Sequence, residues 1–428
     1  MPKSTDSSNK NPKKIYLDYA SSASSQSANP GAIHALGMKE KNKLEKARTR
    51  IAKILKSHND EIIFTSGATE SNNLAILGLV ANFKKPHIVT INIEHASVLE
   101  VCRHLEKTKQ AKVTYVAVEA NGVVDPRKIK KALTKNTVLV SVMYANNEIG
   151  TIQPIREIAK EVRHYNKKNM KRKVFERSGW ERDPGNRGPE KILPLRVFFH
   201  IDATQAINYL PINVQKLGVD SMSFNGAKIY GPKGVGVLYV KKNTPINKIM
   251  FGGDQEFGLR PGTENVAGAV ELASALEITE KIKNKEVECL TKLRDYFFKK
   301  LSNITSQKNN FFGSSNIVPL KNHFSAPFII NGDLKNRLPN NVNITIPNIP
   351  SDLLVIELSA KGIMASSKSA CKTGDGKASH VIKAINKNVR ETDGSLRFSL
   401  GRNTTKKDID YVVKSLSQIL TKLKKWYN

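Results

Sequence analysis

The chain has 428 residues, with 69 Lys and Arg against 38 Asp and Glu and a formal charge of +31. That length exceeds what one hydrophobic core serves, so a large domain and a smaller one are expected. Three cysteines, Cys102, Cys289 and Cys371, an odd number with no close pair, argue against a disulfide framework and a zinc cluster, and no run reaches the roughly 18 apolar residues of a membrane span.

The opening MPKSTDSSNKNPKK lacks an apolar core of signal-peptide length, and a cytoplasmic protein is expected. The positive charge invites a nucleic-acid reading. It is dispersed, however: the densest stretch, 167 to 196, carries ten Lys/Arg and four Asp/Glu, only +6 of the total. A composition bias accounts for such dispersal, and nucleic acid is not an expected partner.

Taken in order, residues 1–14 read as a polar tail, Ile15 to Asp18 as a short strand and Ala32 to Lys56 as a helix. The text then alternates. Strands at Ile62 to Thr65, His87 to Ile91, Val113 to Val118 and Val138 to Tyr144 are each followed by helical patterns from Ala68, Ala96, Pro126 and Ile155. Strands at Val197 to Ile201, Ser221 to Phe224 and Val235 to Val240 continue a pattern that predicts βαβ units and a mostly parallel sheet. A basic insertion at 166–196 interrupts it, read as either a tolerated surface loop or a partner contact. A long helix from Gly262 to about Leu301 leads into an Asn-rich stretch. Beyond it, strands near Val342 to Ile346, Gly362 to Ala365 and Leu396 to Leu400, with helices from Ser379 and Lys406, read as a small α/β domain. The expected division is a tail at 1–14, a large domain at 15–262 and a connecting helix with small domain at 263–428.

Ligands of parallel sheets bind beyond the carboxyl ends of the strands, so the residues there are candidates. Ser66-Gly67-Ala68-Thr69-Glu70 turns through Gly into a helix and suits a phosphate, though an ordinary helix cap reads the same way. Glu94-His95 offers an imidazole able to stack on a planar group and move protons, or simply a cap. Asn146-Asn147-Glu148-Ile149-Gly150 is a polar turn after a strand. His200-Ile201-Asp202 ends a strand in an acid that could keep a pyridine nitrogen protonated, with Gln205 three residues on. Lys228 lies on a tight glycine-rich bend between two strands, where an amine serves either as a Schiff-base nucleophile or as a solvated loop lysine.

Nine stretches together resemble the cysteine desulfurase family, fold-type I pyridoxal-phosphate (PLP) enzymes of the class V aminotransferase group. They are YLDYA (16–20), FTSGATESNNLAI (64–76), EHASV (94–98), NNEIG (146–150), DATQ (202–205), KIYGPKGVG (228–236), RPGTENVAG (260–268), SACKT (369–373) and SLRFSLGR (395–402). The resemblance implies a PLP-binding large domain with a mostly parallel central sheet, a smaller C-terminal α/β domain, and a homodimer. It implies that Lys228 attaches the cofactor and shuttles protons, Asp202 pairs with the pyridine nitrogen, and His95 stacks on the ring as acid/base. Gln205 and Asn147 would bind the ring side and substrate, Ala68 and Thr69 the phosphate, and Thr263 the phosphate in the other subunit. Arg397 would clamp the carboxylate of L-cysteine, and Cys371 would take the sulfur as a persulfide for an iron-sulfur scaffold protein, tRNA thiolation or another acceptor. No metal is expected. Cys102 and Cys289 are read as packing residues.

The chain departs from the family before Lys228, where Ser-Gly-His or Ser-Ala-His becomes Asn225-Gly226-Ala227. The Asn225 amide can donate to a phosphate, but Ala227 cannot replace the imidazole, a loss of about 1.5–3 kcal/mol of cofactor binding. Before Cys371, Ser-Gly-Ser becomes Ser367-Lys368-Ser369, exchanging freedom of the chain for a cation that favours thiolate. Two other readings stand beside the first: a selenocysteine lyase or related class V β-lyase, and a non-catalytic descendant that binds RNA or a partner.

Overall fold

The computed structural model describes residues 15–23, 27–169, 173–175, 192–194, 196–306, 328–367, 379–390 and 392–427. The polar tail, most of the basic insertion, Lys368 and Cys371 lie outside the described residues.

Seven strands build the large sheet: β1 (Ile62–Thr65), β2 (His87–Ile91), β3 (Lys112–Val116), β4 (Thr137–Met143), β7 (Phe198–Asp202), β8 (Ser221–Asn225) and β9 (Gly236–Val240). Their order is β1-β9-β8-β7-β4-β2-β3, and only β9 runs against its neighbours. β1, β2, β4, β7 and β9 are buried along their whole length, as their mainly apolar, β-branched and aromatic composition suits when helices cover both faces. β3, at the edge, starts with exposed Lys112. Within the insertion, β5 (Lys173–Phe175) and β6 (Ile192–Pro194) pair antiparallel.

The covering helices begin where the sequence supplies caps. α1 (Ala35–Leu55) starts on His34, whose ring accepts from Gly37 N–H, and ends on Lys56 in the left-handed region. α2 (Ala68–Val80) starts on Gly67 with no side-chain cap, so its first N–H groups are left open. α3 (Ala96–Lys107) is capped by His95, α4 (Pro126–Ala132) by Asp125 with Pro at its first turn, and α6 (Val214–Leu217) by Asn213. α5 (Ile155–Asn169) completes the set.

α7 (Val266–Ser306) has 41 residues, about 60 Å of helix. Its first half packs Ala269, Leu272 and Leu276 in the core beside α1, and its second half packs Leu290, Leu293 and Phe297, the last in ring contact with Phe398 at 5.1 Å. There it meets a second, antiparallel sheet of β10 (Ile329–Ile330), β11 (Asn341–Ile346) and β12 (Gly394–Ser399) with α8 (Ser351–Ser359), α9 (His380–Ile385) and α10 (Lys406–Tyr427).

Four sequence readings are corrected here. Ile15 to Asp18 is coil and not a strand. Gly362 to Ala365 is no strand; it follows α8 as turn and coil, and only Ser366 pairs, as a single bridge to Arg397. α8 was not expected, although Pro350-Ser351-Asp352 ahead of Leu353 and Leu354 is a helix start. Cys289 is exposed rather than packed, because the buried face of α7 runs through Glu286, Leu290 and Leu293.

The two sheets meet on the turn after β4. Glu148 O accepts the side-chain amides of Asn341 (2.9 Å) and Asn343 (3.0 Å), both on β11, and Leu338 N–H donates to Gly150 O at 2.8 Å. Gly150 holds φ +71, and a Cβ there would lie 2.6 Å from the Asn341 side chain. Gly150→Ala should therefore cost about 2–3 kcal/mol, from left-handed strain and displacement of Asn341. Urea unfolding measures it; an unchanged midpoint would show that this seam is not tightly packed.

Candidate active site

Asp202 is the last residue of β7, 5% exposed in the middle of the sheet. Its Oδ1 accepts Thr204 N–H and its Oδ2 accepts Asn72 Nδ2, both at 2.9 Å. Among the described residues it has no cationic partner. Two residues back on the same strand, His200 is fully buried between two hydroxyls, Ser141 Oγ and Ser223 Oγ, each at 2.9 Å. Burial pulls the His200 ring down to about 4, with Asp202 acting weakly the other way. Glu94 ends the segment after β2 and is likewise fully buried; its Oε1 accepts Met143 N–H at 2.6 Å. Burial pushes its carboxyl well above the usual range, and Asp202 adds to the push.

His95 is half-buried at the start of α3, its Nδ1 2.8 Å from Ser97 Oγ. Arg397, on β12, crosses the seam: its Nη1 donates to Asn147 O at 3.0 Å, while its buried Nε has no partner. Burial lowers the Arg397 guanidinium, and Glu148 partly offsets this. It is the main chain of Asn147, then, that meets Arg397. Gln205 is half-buried three residues past Asp202.

Lys228 sits on a single helical turn, Gly226–Lys228, and is exposed, as is Ala227. Gly226 is obligatory, since a Cβ there would lie 2.6 Å from Pro232 O. The turn is fixed from behind: Ile229 is fully buried, and Tyr230, held at φ +59, lies under the Arg402 guanidinium at 3.9 Å. Arg402 in turn donates to Glu286 of α7 at 2.8 Å.

At the open start of α2, Ala68 is buried and Thr69 exposed. Glu70 accepts Ser66 N–H and, at 2.9 Å, Arg260 Nε, which brings the segment carrying exposed Thr263 alongside. Burial alone would raise the Glu70 carboxyl; the Ser66 and Arg260 contacts overturn that and hold it below the ordinary value.

The segment that carries Cys371 leaves and re-enters the described chain at this site. Ser366 exchanges both backbone hydrogen bonds with Arg397 (3.1 and 2.7 Å), and Ser379 Oγ donates to Glu148 Oε2. His380 Nε2 reaches Glu94 O at 3.1 Å.

The model for the class V aminotransferase family matches residues 7–169 and 194–318. Cysteine desulfurase IscS of Dictyoglomus turgidum is 38% identical over 428 residues, 96% of each chain. Cysteine desulfurase IscS of Methanosarcina thermophila is 38% identical over 398 residues, 92% of this chain and 86% of its own. Among solved structures, a NifS-like protein superposes with a TM-score of 0.75 at 34% identity over 92% of both chains. The structure titled "SspA in complex with cysteine" gives 0.66 at 30% over 87% of this chain and 90% of its own. The chain belongs to the cysteine desulfurases. Like the class as a whole, it is PLP-dependent.

The residues present fit that cofactor. Among the described residues the desulfurase has a buried carboxylate with no cation, a helix start with no side-chain cap, and a buried hydroxyl without a partner at Thr204 Oγ1. A phosphorylated pyridine satisfies each of these needs. Sequence reasoning named candidate groups but not the side chains that support them: Asn72, Ser97 and Ser379 went unmentioned, and His200 and Glu148 appeared only as members of strand-end motifs. Asn72 left one signal: it is a polar residue just before the apolar second half of α2, at a position the helix buries.

Burial gives a test of the electrostatics. His200, lowered to about 4, stabilises the fold above 6.5 and loses that contribution as pH falls from 6.5 to 4. Glu94, raised, does the reverse: its contribution is complete below 4.5 and is lost as pH rises. Between pH 6.5 and 4.5 the two oppose each other. Glu94→Gln keeps the bond to Met143 and removes one of them, so the variant should lose stability on acidification more steeply than the parent, by about 1.4 kcal/mol per pH unit. Urea unfolding at pH 6.5, 5.5 and 4.5 measures the slopes; equal slopes would mean that Glu94 is ionised in the fold.

Proposed function

We propose that this desulfurase converts L-cysteine to L-alanine and captures the sulfur on Cys371 as a persulfide. The observation that carries the reading is the Asp202 carboxylate, buried with no cation beside it among the described residues. Such a charge is costly unless a ligand answers it, and a protonated pyridine nitrogen is a fitting answer.

In this reading Asp202 binds the pyridine nitrogen, Gln205 the ring side, and His95 the ring face. The Ala68 and Thr69 N–H groups and the Asn225 amide receive the phosphate, joined by Thr263 from the second protomer of a homodimer. PLP, when bound, withdraws electrons from the carbons of the attached amino acid. Lys228 holds the cofactor covalently and moves protons at the substrate carbons with Nζ. Arg397, half-buried with a free Nε, receives the substrate carboxylate in its planar fork, and Asn147 orients both. His95 exchanges a proton with the substrate.

The Cys371 thiolate attacks the sulfur of the bound cysteine. A new S–S bond forms, the C–S bond breaks with its electron pair remaining on carbon, and that carbon takes a proton to become the methyl of alanine. Anchoring of Ser366 to Arg397 and of Ser379 to Glu148 supports this role, because it starts and ends the Cys371 segment beside the substrate clamp. The persulfide then passes to an acceptor, an iron-sulfur scaffold protein or a tRNA-thiolation carrier. No described helix is long and apolar enough to cross a membrane, and a reduced cytoplasmic setting suits a working thiol.

Purified protein given L-cysteine and a thiol reductant should release alanine and sulfide in equal amounts. Cys371→Ala should keep the visible absorbance of bound cofactor yet lose turnover about a hundredfold or more; full activity in that variant would overturn the assignment. Ala227→His should restore a phosphate donor and slow cofactor loss on dialysis by about tenfold or more. Unchanged loss would show that Asn225 and α2 already anchor the phosphate fully.

A further inference from the structure

Asn72 lies on α2 and is fully buried. Its Nδ2 reaches two acceptors, Asp202 Oδ2 at 2.9 Å and Ser97 Oγ at 2.8 Å, which commits both amide hydrogens. The amide cannot be turned over, because its oxygen would then face the Asp202 carboxylate, acceptor against acceptor. The cost of this orientation is visible: Asn72 Oδ1 has no partner among the described residues. A buried amide with an unbonded oxygen is a poor stabilising device. What it supplies is two hydrogens in fixed directions.

Ser97 Oγ takes one of them. Its own proton is thereby free for its other neighbour, His95 Nδ1, at 2.8 Å, and Ser97 N–H donates to the same nitrogen at 3.1 Å. Facing two donors, His95 Nδ1 is an acceptor, and the proton of the neutral ring sits on Nε2.

We infer that Asn72 is a positioning residue that sets the His95 tautomer through Ser97 while bracing the Asp202 carboxylate. It ties the group proposed to hold the pyridine nitrogen to the group proposed to exchange protons, through three hydrogen bonds in a row. The catalytic consequence rests on the reading of Asp202 and His95 given above. The tautomer does not; it is a property of the chain alone. Asp at this position would bring a second carboxylate to Asp202 and no hydrogens, and Leu would fill the volume with none.

The test uses full-length protein labelled with 15N, with and without PLP, and reads the His95 imidazole by long-range 1H–15N correlation at neutral pH. The parent should show an unprotonated Nδ1 and a protonated Nε2. In Asn72→Leu the Ser97 hydroxyl loses the donor that orients it, and the Nδ1–H form should rise several-fold. Ser97→Ala, which leaves Asp202 untouched, should raise it as well. With PLP bound, Asn72→Leu should shift the visible band, because Asp202 has lost a donor, and Ser97→Ala should not. Turnover should fall about tenfold in both at little changed KM. A parent with Nδ1–H dominant, or His95 signals unaltered in both variants, would overturn the inference whatever the turnover. Should Asn72→Leu fail to fold, the Ser97→Ala spectrum decides alone. Absence of cysteine turnover in the parent would instead count against the proposed function and leave the spectra readable.

Discussion

Everything at this site depends on the turn at Asn147 to Gly150, where the two sheets are sewn together through backbone groups. Glu148 presents its carbonyl to Asn341 and Asn343, and its carboxylate to Ser379. Asn147 presents its carbonyl to Arg397. The Glu148 contacts are buried and the Asn147–Arg397 contact half-buried, and a buried partner left unsatisfied would cost about 1–3 kcal/mol. The turn therefore fixes where Arg397 stands relative to the ends of β4 and β7. It does so without spending the guanidinium, since only one of three nitrogens is committed to Asn147.

Around Asp202 the fold removes competing charges. His200 is buried between hydroxyls and stays neutral at physiological pH; Glu94 is buried with a backbone donor and is pushed toward its neutral form. Two titratable neighbours are thus silenced by the same cause, loss of water. Asp202 keeps two N–H donors and, among the described residues, no cation, so its field is left for a ligand to answer. A Lys or Arg nearby would have stabilised the empty chain and spoiled the site.

Much of this was legible in the sequence, for identifiable reasons. The large sheet was readable because its strands are short, mainly apolar runs between helix starts, so β1 and β2 were bounded correctly by pattern alone. The groups at strand ends followed from the topology of parallel sheets, and Asp202, His95 and Asn147 stand at such ends. Side-chain partnership was not legible. Asn72 and Asp202 are 130 positions apart, and Ser379 and Glu148 are 231 apart; no local period encodes such pairs. Cys289 misled because apolar neighbours in a helix do not reveal which side a given residue takes. The 362–365 segment misled because a β-like composition needs a neighbour to become a strand, and only Ser366 finds one.

In the proposed reading the exchange of imidazole for Ala227 takes away a phosphate donor, and the Lys228 turn is built without any contribution from that position. That turn is held by features on its other side: the close approach of Gly226 to Pro232, the burial of Ile229, and the stacking of Arg402 on Tyr230. Tyr230 keeps a left-handed φ that costs about 1 kcal/mol or more, and the Arg402 contacts oppose its relaxation. Since Arg402 is itself tied to Glu286 on α7, the lysine turn is anchored to the long helix that also carries the small sheet. Position 227 faces solvent and bears none of this load. In the proposed reading, a residue there would change how firmly a phosphate is gripped without changing where Lys228 stands, and cofactor retention would be separable from cofactor placement.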